Sequence, residues 1–120
     1  MLKPEGSILM DVYSLNGFEK KVESATYEKN QLFGFWSPND YYAFVNTHKY
    51  EDEKVLLDKY TIIEANQPRR IVYNWLQHYS FEALQREFKQ NNLTIRAKFA
   101  NVAGEEFSPK LDEFAIIAGQ

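Results

Sequence analysis

Five aromatic side chains, Trp36, Tyr41, Tyr42, Tyr73 and Trp75, are the residues of this chain best suited to hold a small ligand. Grouped, they would form an apolar box, and an aromatic face also attracts a cationic amine. The same residues in strand-like runs suit plain sheet packing. His48 and His78 are the only side chains whose ordinary titration lies near neutrality, which makes them the candidate acid/base groups. Each falls on the polar phase of its run, so both are expected to be solvated. Asp11 is read as ending the first strand, the region where open-sheet enzymes place ligands. Its other use is as a turn or helix cap. His48, Glu51 and Asp52 are donors at irregular spacing and form no metal motif. Gly-x-Ser-x-Gly is absent, and no Ser-His-Asp order stands out. Arg69-Arg70 beside Pro68, and Glu105-Glu106, read as solvated tips.

Composition narrows the classes these residues can serve. The chain has 120 residues, enough for one domain, and 44% apolar residues, too many for a disordered chain. The net charge is −3, so no basic field exists to hold phosphates, and nucleic acid is not an expected partner. Cysteine is absent, which removes disulfides, thiolate metal sites and cysteine nucleophiles together. Lys3, Pro4 and Glu5 followed by a short apolar run do not make a secretory signal. No run approaches the ~18 apolar residues of a membrane span. A cytoplasmic protein that touches no membrane is the expectation.

Pro4 and Gly6 form a turn ahead of a strand at 7–14, nearly continuous in apolar residues and so expected to be covered on both faces. Leu15, Phe18, Val22 and Ala25 have helical spacing, which predicts a short helix within 15–29, capped by Ser14 or Asn16. Residues 30–40 read as a loop around the aromatic knot Phe33-Gly34-Phe35-Trp36. Three strands follow, at 41–50, 55–65 and 70–79, joined by polar turns into an antiparallel meander. Ser80 caps a helix at 81–90 with Phe81, Leu84 and Phe88 as its apolar stripe, and Asn91-Asn92 stops it. Strands at 93–102 and 113–118 complete an α+β domain spanning the whole chain, with a mixed, largely antiparallel twisted sheet of about six strands and one or two helices.

Leu2-Lys3-Pro4-Glu5-Gly6, followed by the strand at 7–14, resembles the "L-K-P-G-G then strand" element in the later half of class I S-adenosylmethionine-dependent methyltransferases. Residues 74–84 are similar to the "W-x-x-x-y-S-x-E-x-L" segment of a small-molecule subgroup, and 112–118 to the final strand. The resemblance covers nearly the whole chain, in the right order. Glu5 and Asn92 stand where the family usually has Gly. The resemblance implies the last three core strands of that fold in the order 7–14, 113–118, 93–102, with the middle one antiparallel to both neighbours. The meander at 41–79 would be an insertion shaping the substrate pocket.

What the resemblance lacks is the Gly-rich loop after a first strand and the acidic residue that follows it, so no cofactor-binding residue carries over. It therefore implies a C-terminal, substrate-side portion, silent by itself. S-adenosylmethionine would bind in the intact parent, and a missing N-terminal cofactor-binding half would be the partner. Methyl transfer from a sulfonium is chiefly positioning, which gives the aromatic box, Asp11 and His78 their expected substrate-side roles. The apolar edge of the strand at 7–14 is expected to be covered by a rearranged strand, the following helix or a second copy, giving a possible homodimer. Two rival readings stand beside this one. The first is a non-enzymatic ligand-binding module with a cavity lined by Trp36, Tyr73 and Trp75. The second is a small free-standing enzyme using His78 or Asp11 as base.

Overall fold

A computed structural model describes residues 2–120. In chain order the elements are β1 (Ser7–Ser14), α1 (Leu15–Lys20), β2 (Ser24–Lys29), α2 (Gln31–Gly34), β3 (Tyr41–Tyr50), β4 (Val55–Glu64), β5 (Arg70–Tyr79), α3 (Phe81–Gln90), β6 (Thr94–Phe99) and β7 (Glu113–Gly119). The class is α+β, with a seven-stranded, mostly antiparallel sheet in the order β2-β3-β4-β5-β1-β7-β6 and three short helices. The chain forms two compact units, Lys21–Leu76 and the remainder; β5 contributes residues to both.

In the unit built from the two ends of the chain, β7 lies between β1 and β6 and is antiparallel to each. This is the three-strand order the resemblance implies. Phe114, Ile116 and Ala118 project from β7 into a core closed by Leu84 of α3, with Met10 and Val12 packed against it. The opposite phase of β1 is not covered. Leu9 is 56% exposed and Asp11 is exposed, which corrects the expectation of a strand buried on both faces. β5 bridges β1 in parallel at only two positions, Tyr13↔His78 and Ser14↔Tyr79.

Local chemistry explains the helices of this unit. Ser80 Oγ accepts from the Ala83 amide at 3.0 Å and caps α3, as expected. The helix ends at Asn91, and Asn92 takes a left-handed φ of 60°, a conformation Asn tolerates better than most residues. At α1 the capping oxygen is Ser14 Oγ, which accepts from the Gly17 amide at 3.1 Å.

In the unit Lys21–Leu76, β2, β3 and β4 form an antiparallel ladder in unbroken register. Tyr41, Ala43 and Ile62 make its core, with Trp36, Tyr60 and Val72 packed on it. The predicted helix within 15–29 proves to be half helix and half strand. α1 stops at Lys20, Val22 is 75% exposed, and Ser24–Lys29 pairs with Thr47–Tyr42 as a seventh strand.

Candidate functional site

A concavity on the two-ended unit opens where β1 ends and α3 begins. It has a volume of 230 Å3; Ser14, Asn16, Ser80 and Ser108 supply hydroxyl and amide groups, Glu82 and Glu113 supply carboxylates, and Phe81, Phe107 and Phe114 supply apolar wall. Lys98 places its ammonium 4.4 Å from the Phe81 ring centroid and 4.3 Å from that of Phe107. Two phenyl faces thus hold one cation beside the opening. The cleft is amphipathic, with rings below and charges of both signs at the mouth. It suits a small molecule with an apolar body and polar ends.

Lys98 escaped the sequence reading for a definite reason. Strict alternation along β6 puts Lys98 on the face opposite Ile95. The register against β7 slips between Ile95 and Ala97, so Ile95 opposes Ala118 while Lys98 opposes Ile116. A bulge at Arg96 therefore turns Lys98 to the core face.

The residues singled out in the sequence divide between the two units, Asp11 and His78 in one and Trp36, Tyr41, Tyr42, His48, Tyr73 and Trp75 in the other. Asp11 is exposed in mid-strand opposite Ala115 and edges a smaller 120 Å3 cleft with Val12, Tyr13 and Glu113. His78, expected to be solvated, is 3% exposed. It lies against Tyr13 and Phe18, with ring centroids 5.3 and 5.4 Å away. Its Nδ1 is 2.9 Å from the Ser14 carbonyl, which fixes that nitrogen as the donor, and Nε2 is left without a partner. His78 thereby acts as a spacer tying β5 to the end of β1. His48 stays on the outward phase of β3.

Of the aromatic five, Tyr41 and Trp36 belong to the core face of the unit Lys21–Leu76. The Tyr41 hydroxyl donates to the Gln31 carbonyl and accepts from the Trp36 amide. Tyr42, Tyr73 and Trp75 lie on the opposite face, 46%, 55% and 58% exposed. A cavity lined by Trp36, Tyr73 and Trp75 together is therefore not formed.

The loop carrying Trp36 is held by carboxylates. Asp40 accepts from Asn30 Nδ2 at 2.9 Å, and Glu64 accepts from Ser37 Oγ at 2.8 Å and Asn39 Nδ2 at 3.0 Å. Arg70, expected to be a solvated tip, donates to the Trp36 carbonyl at 2.7 Å. The Asn30 hydrogen bond, then the Lys29 charge, holds Asp40 below its ordinary 3.8. The hydrogen bonds from Ser37 and Asn39 hold Glu64 below its ordinary 4.5. Depressed carboxylates stabilise the fold above their unfolded values, and that contribution is lost as pH falls through the folded ones. The loop is accordingly expected to loosen at acid pH, below the ordinary carboxylate values, with Trp36 emission shifting toward that of a solvated indole. In Glu64→Gln the acid step should shrink. An unchanged step would assign it to other groups.

No family model and no curated protein matches this chain. Solved structures do match its fold. The CcbJ methyltransferase from Streptomyces caelestis aligns with a TM-score of 0.69 at 11% identity, over 98% of this chain and 48% of that one. An S-adenosylmethionine-dependent methyltransferase from Clostridium acetobutylicum gives the same score and identity, over 98% and 46%. The chain has a methyltransferase-like fold. It spans about half the length of the enzymes it resembles.

The glycines of this methyltransferase-like chain form no cradle among the described residues. β1 runs into α1 with no glycine between them. A Cβ on Gly17 would fall 2.7 Å from the Asp112 carbonyl oxygen, and one on Gly6 would fall 2.7 Å from Leu2. A Cβ on Gly119 would fall 3.0 Å from the Gly6 carbonyl oxygen, so the space beside these three glycines is taken by the chain itself. Gly34 and Gly104 are in left-handed conformations, with nothing near enough to form a cradle.

Proposed function

We propose that these residues form the substrate-side portion of an S-adenosylmethionine-dependent methyltransferase acting on a small molecule. The observation that carries the reading is the fold match, in which nearly all of this chain corresponds to about half of each enzyme. The order β1-β7-β6 supports it. In this reading a cofactor-binding half supplies the glycine loop, and the residues described here supply the acceptor side. The cleft at the end of β1 holds the acceptor. Phe81 and Phe107 pack its apolar body, while Ser14, Asn16, Lys98 and Glu113 orient its polar ends. Alignment is the main requirement of transfer from an activated sulfonium, and no nucleophile or acid/base pair is demanded of the protein. The 120 residues by themselves bind the cofactor weakly and transfer no methyl group.

The test is a titration of S-adenosylmethionine and S-adenosylhomocysteine into the isotopically labelled chain, followed by its backbone amide spectrum. Unshifted amides at millimolar ligand are expected. Saturable shifts, or methyl transfer by the purified chain free of contaminating enzymes, would overturn the silent-portion reading.

A further inference from the structure

One face of the unit Lys21–Leu76 is largely aromatic, and no paired position of β2, β3 or β4 on it is a carboxylate. Along β3, Tyr41 and Ala43 are buried, while Tyr42, Phe44 and Tyr50 on the other phase are exposed. The register sets Tyr27 opposite Phe44 and Ile63 opposite Tyr42. The Tyr50 ring centroid is 5.8 Å from that of Trp75, which puts Trp75 on the same face and, by strand alternation, Tyr73 and Ile71 with it. These eight side chains are between 38% and 69% exposed. The two lysines of the face are Lys29, opposite Tyr42, and Lys59, opposite Asn46. Lys29 is already paired with Asp40 at 3.5 Å.

Burying the exposed half of eight large side chains removes on the order of 800 Å2 from water. That is about what each partner contributes to a standard protein interface, in which an apolar centre is interspersed with polar groups such as Asn46, His48, Thr61 and Lys59 of this face. We infer that two copies of this chain pack these faces together across a two-fold axis. Face-to-face sheet packing needs apolar side chains from both layers and matching twist, and an identical copy supplies both. The paired positions of the face carry no carboxylate and Asp40 at its edge already holds Lys29, so no negative charge is left unpaired, and the Lys59 stem is long enough to carry its ammonium to the rim. This interface differs from the edge of β1 that the sequence suggested for a homodimer.

Sedimentation of the chain over a range of about 1 to 300 μM tests the inference. The weight-average mass should rise from 14.1 kDa toward twice that value, with tryptophan emission moving to shorter wavelength as Trp75 is buried. Trp75→Lys and Tyr73→Lys replace exposed side chains, so both should keep the native circular dichroism while weakening the dimer at least about tenfold. Phe33→Ser, at a fully exposed aromatic residue outside this face, should leave association unchanged and so excludes general stickiness. A wild-type chain that stays monomeric overturns the inference and gives the face to a different protein or a small aromatic ligand. A dimer unaffected by Trp75→Lys and Tyr73→Lys also overturns it, by placing the interface elsewhere. Neither result bears on the methyltransferase reading, which rests on the other unit's strand order and on the fold match.

Discussion

Phe114→Ala is expected to cost about 3–5 kcal/mol of folding free energy, the usual range when a buried phenyl ring is removed and its cavity only partly collapses. Phe114 is 3% exposed and shares a core with Leu84, Ile116 and Ala118. Its ring meets Phe81 and Phe107 edge-on, with centroids 6.4 and 6.1 Å away. Those two rings hold the Lys98 ammonium, so Phe114 is the floor on which the cleft wall stands. Stabilities of this order rarely exceed 5–15 kcal/mol in total, and the loss would consume a large share. Urea denaturation of the variant against wild type is the measurement. Phe114→Leu, which keeps most of the volume, should cost much less, about 1.5 kcal/mol. A loss below about 1 kcal/mol for Phe114→Ala would mean that the ring is not a packed core residue and that the cleft wall is supported otherwise.

The difference between what the sequence disclosed and what it concealed follows the range of the forces involved. α3 was legible because its signals are local. The Ser80 cap, the stripe of Phe81, Leu84 and Phe88, and the left-handed Asn92 each act within a few residues. β3, β4 and β5 were legible for the same reason, as alternating runs cut by polar turns. β2 was not, because every residue of Ser24–Lys29 is exposed and its extended form comes from pairing with β3. The burial of His78 was hidden because the inward phase of β5 is the one that carries most of its polar residues. The alternation of β5 is unbroken: the aromatic phase, Ile71, Tyr73 and Trp75, is the exposed one, and His78 shares the inward phase of Val72 and Leu76, where Tyr13 and Phe18 cover it. Lys98 was hidden by a single extra residue in β6, since a bulge inverts every side chain after it. The aromatic candidates were identified as exposed or core only when the pairing was known. Tyr41 and Tyr42 are adjacent in sequence and lie on opposite faces.

Gly17→Ala should destabilise the chain by about 1–3 kcal/mol, the cost of forcing an atom into a packed site. In an ordinary helix the same change stabilises by up to about 1 kcal/mol, because Ala has the better helix propensity. Here the added Cβ would lie 2.7 Å from the Asp112 carbonyl oxygen and 3.2 Å from its Cα. Backbone stands on both sides of the contact, and neither side can rotate away as a side-chain tip would. The segment Lys110–Asp112 is also tied down. The Ser14 amide donates to the Asp112 carbonyl at 2.9 Å, Ser14 Oγ donates to the Leu111 carbonyl at 2.6 Å, and Asn16 Nδ2 donates to the Lys110 carbonyl at 2.5 Å. Relieving the clash therefore breaks a set of hydrogen bonds, whereas removing the exposed Lys20–Asp112 ion pair with Lys20→Ala should cost no more than about 1 kcal/mol. Faster hydrogen exchange at the Ser14 amide in Gly17→Ala would locate the damage at this clamp. Ser14 and Asn16 also line the cleft, so the substitution should displace its polar wall, while Phe114→Ala hollows its apolar floor. A neutral or stabilising Gly17→Ala would show that α1 and the Asp112 backbone do not approach this closely in solution, and the polar wall would then have to be held by the hydrogen bonds of Ser14 and Asn16 alone.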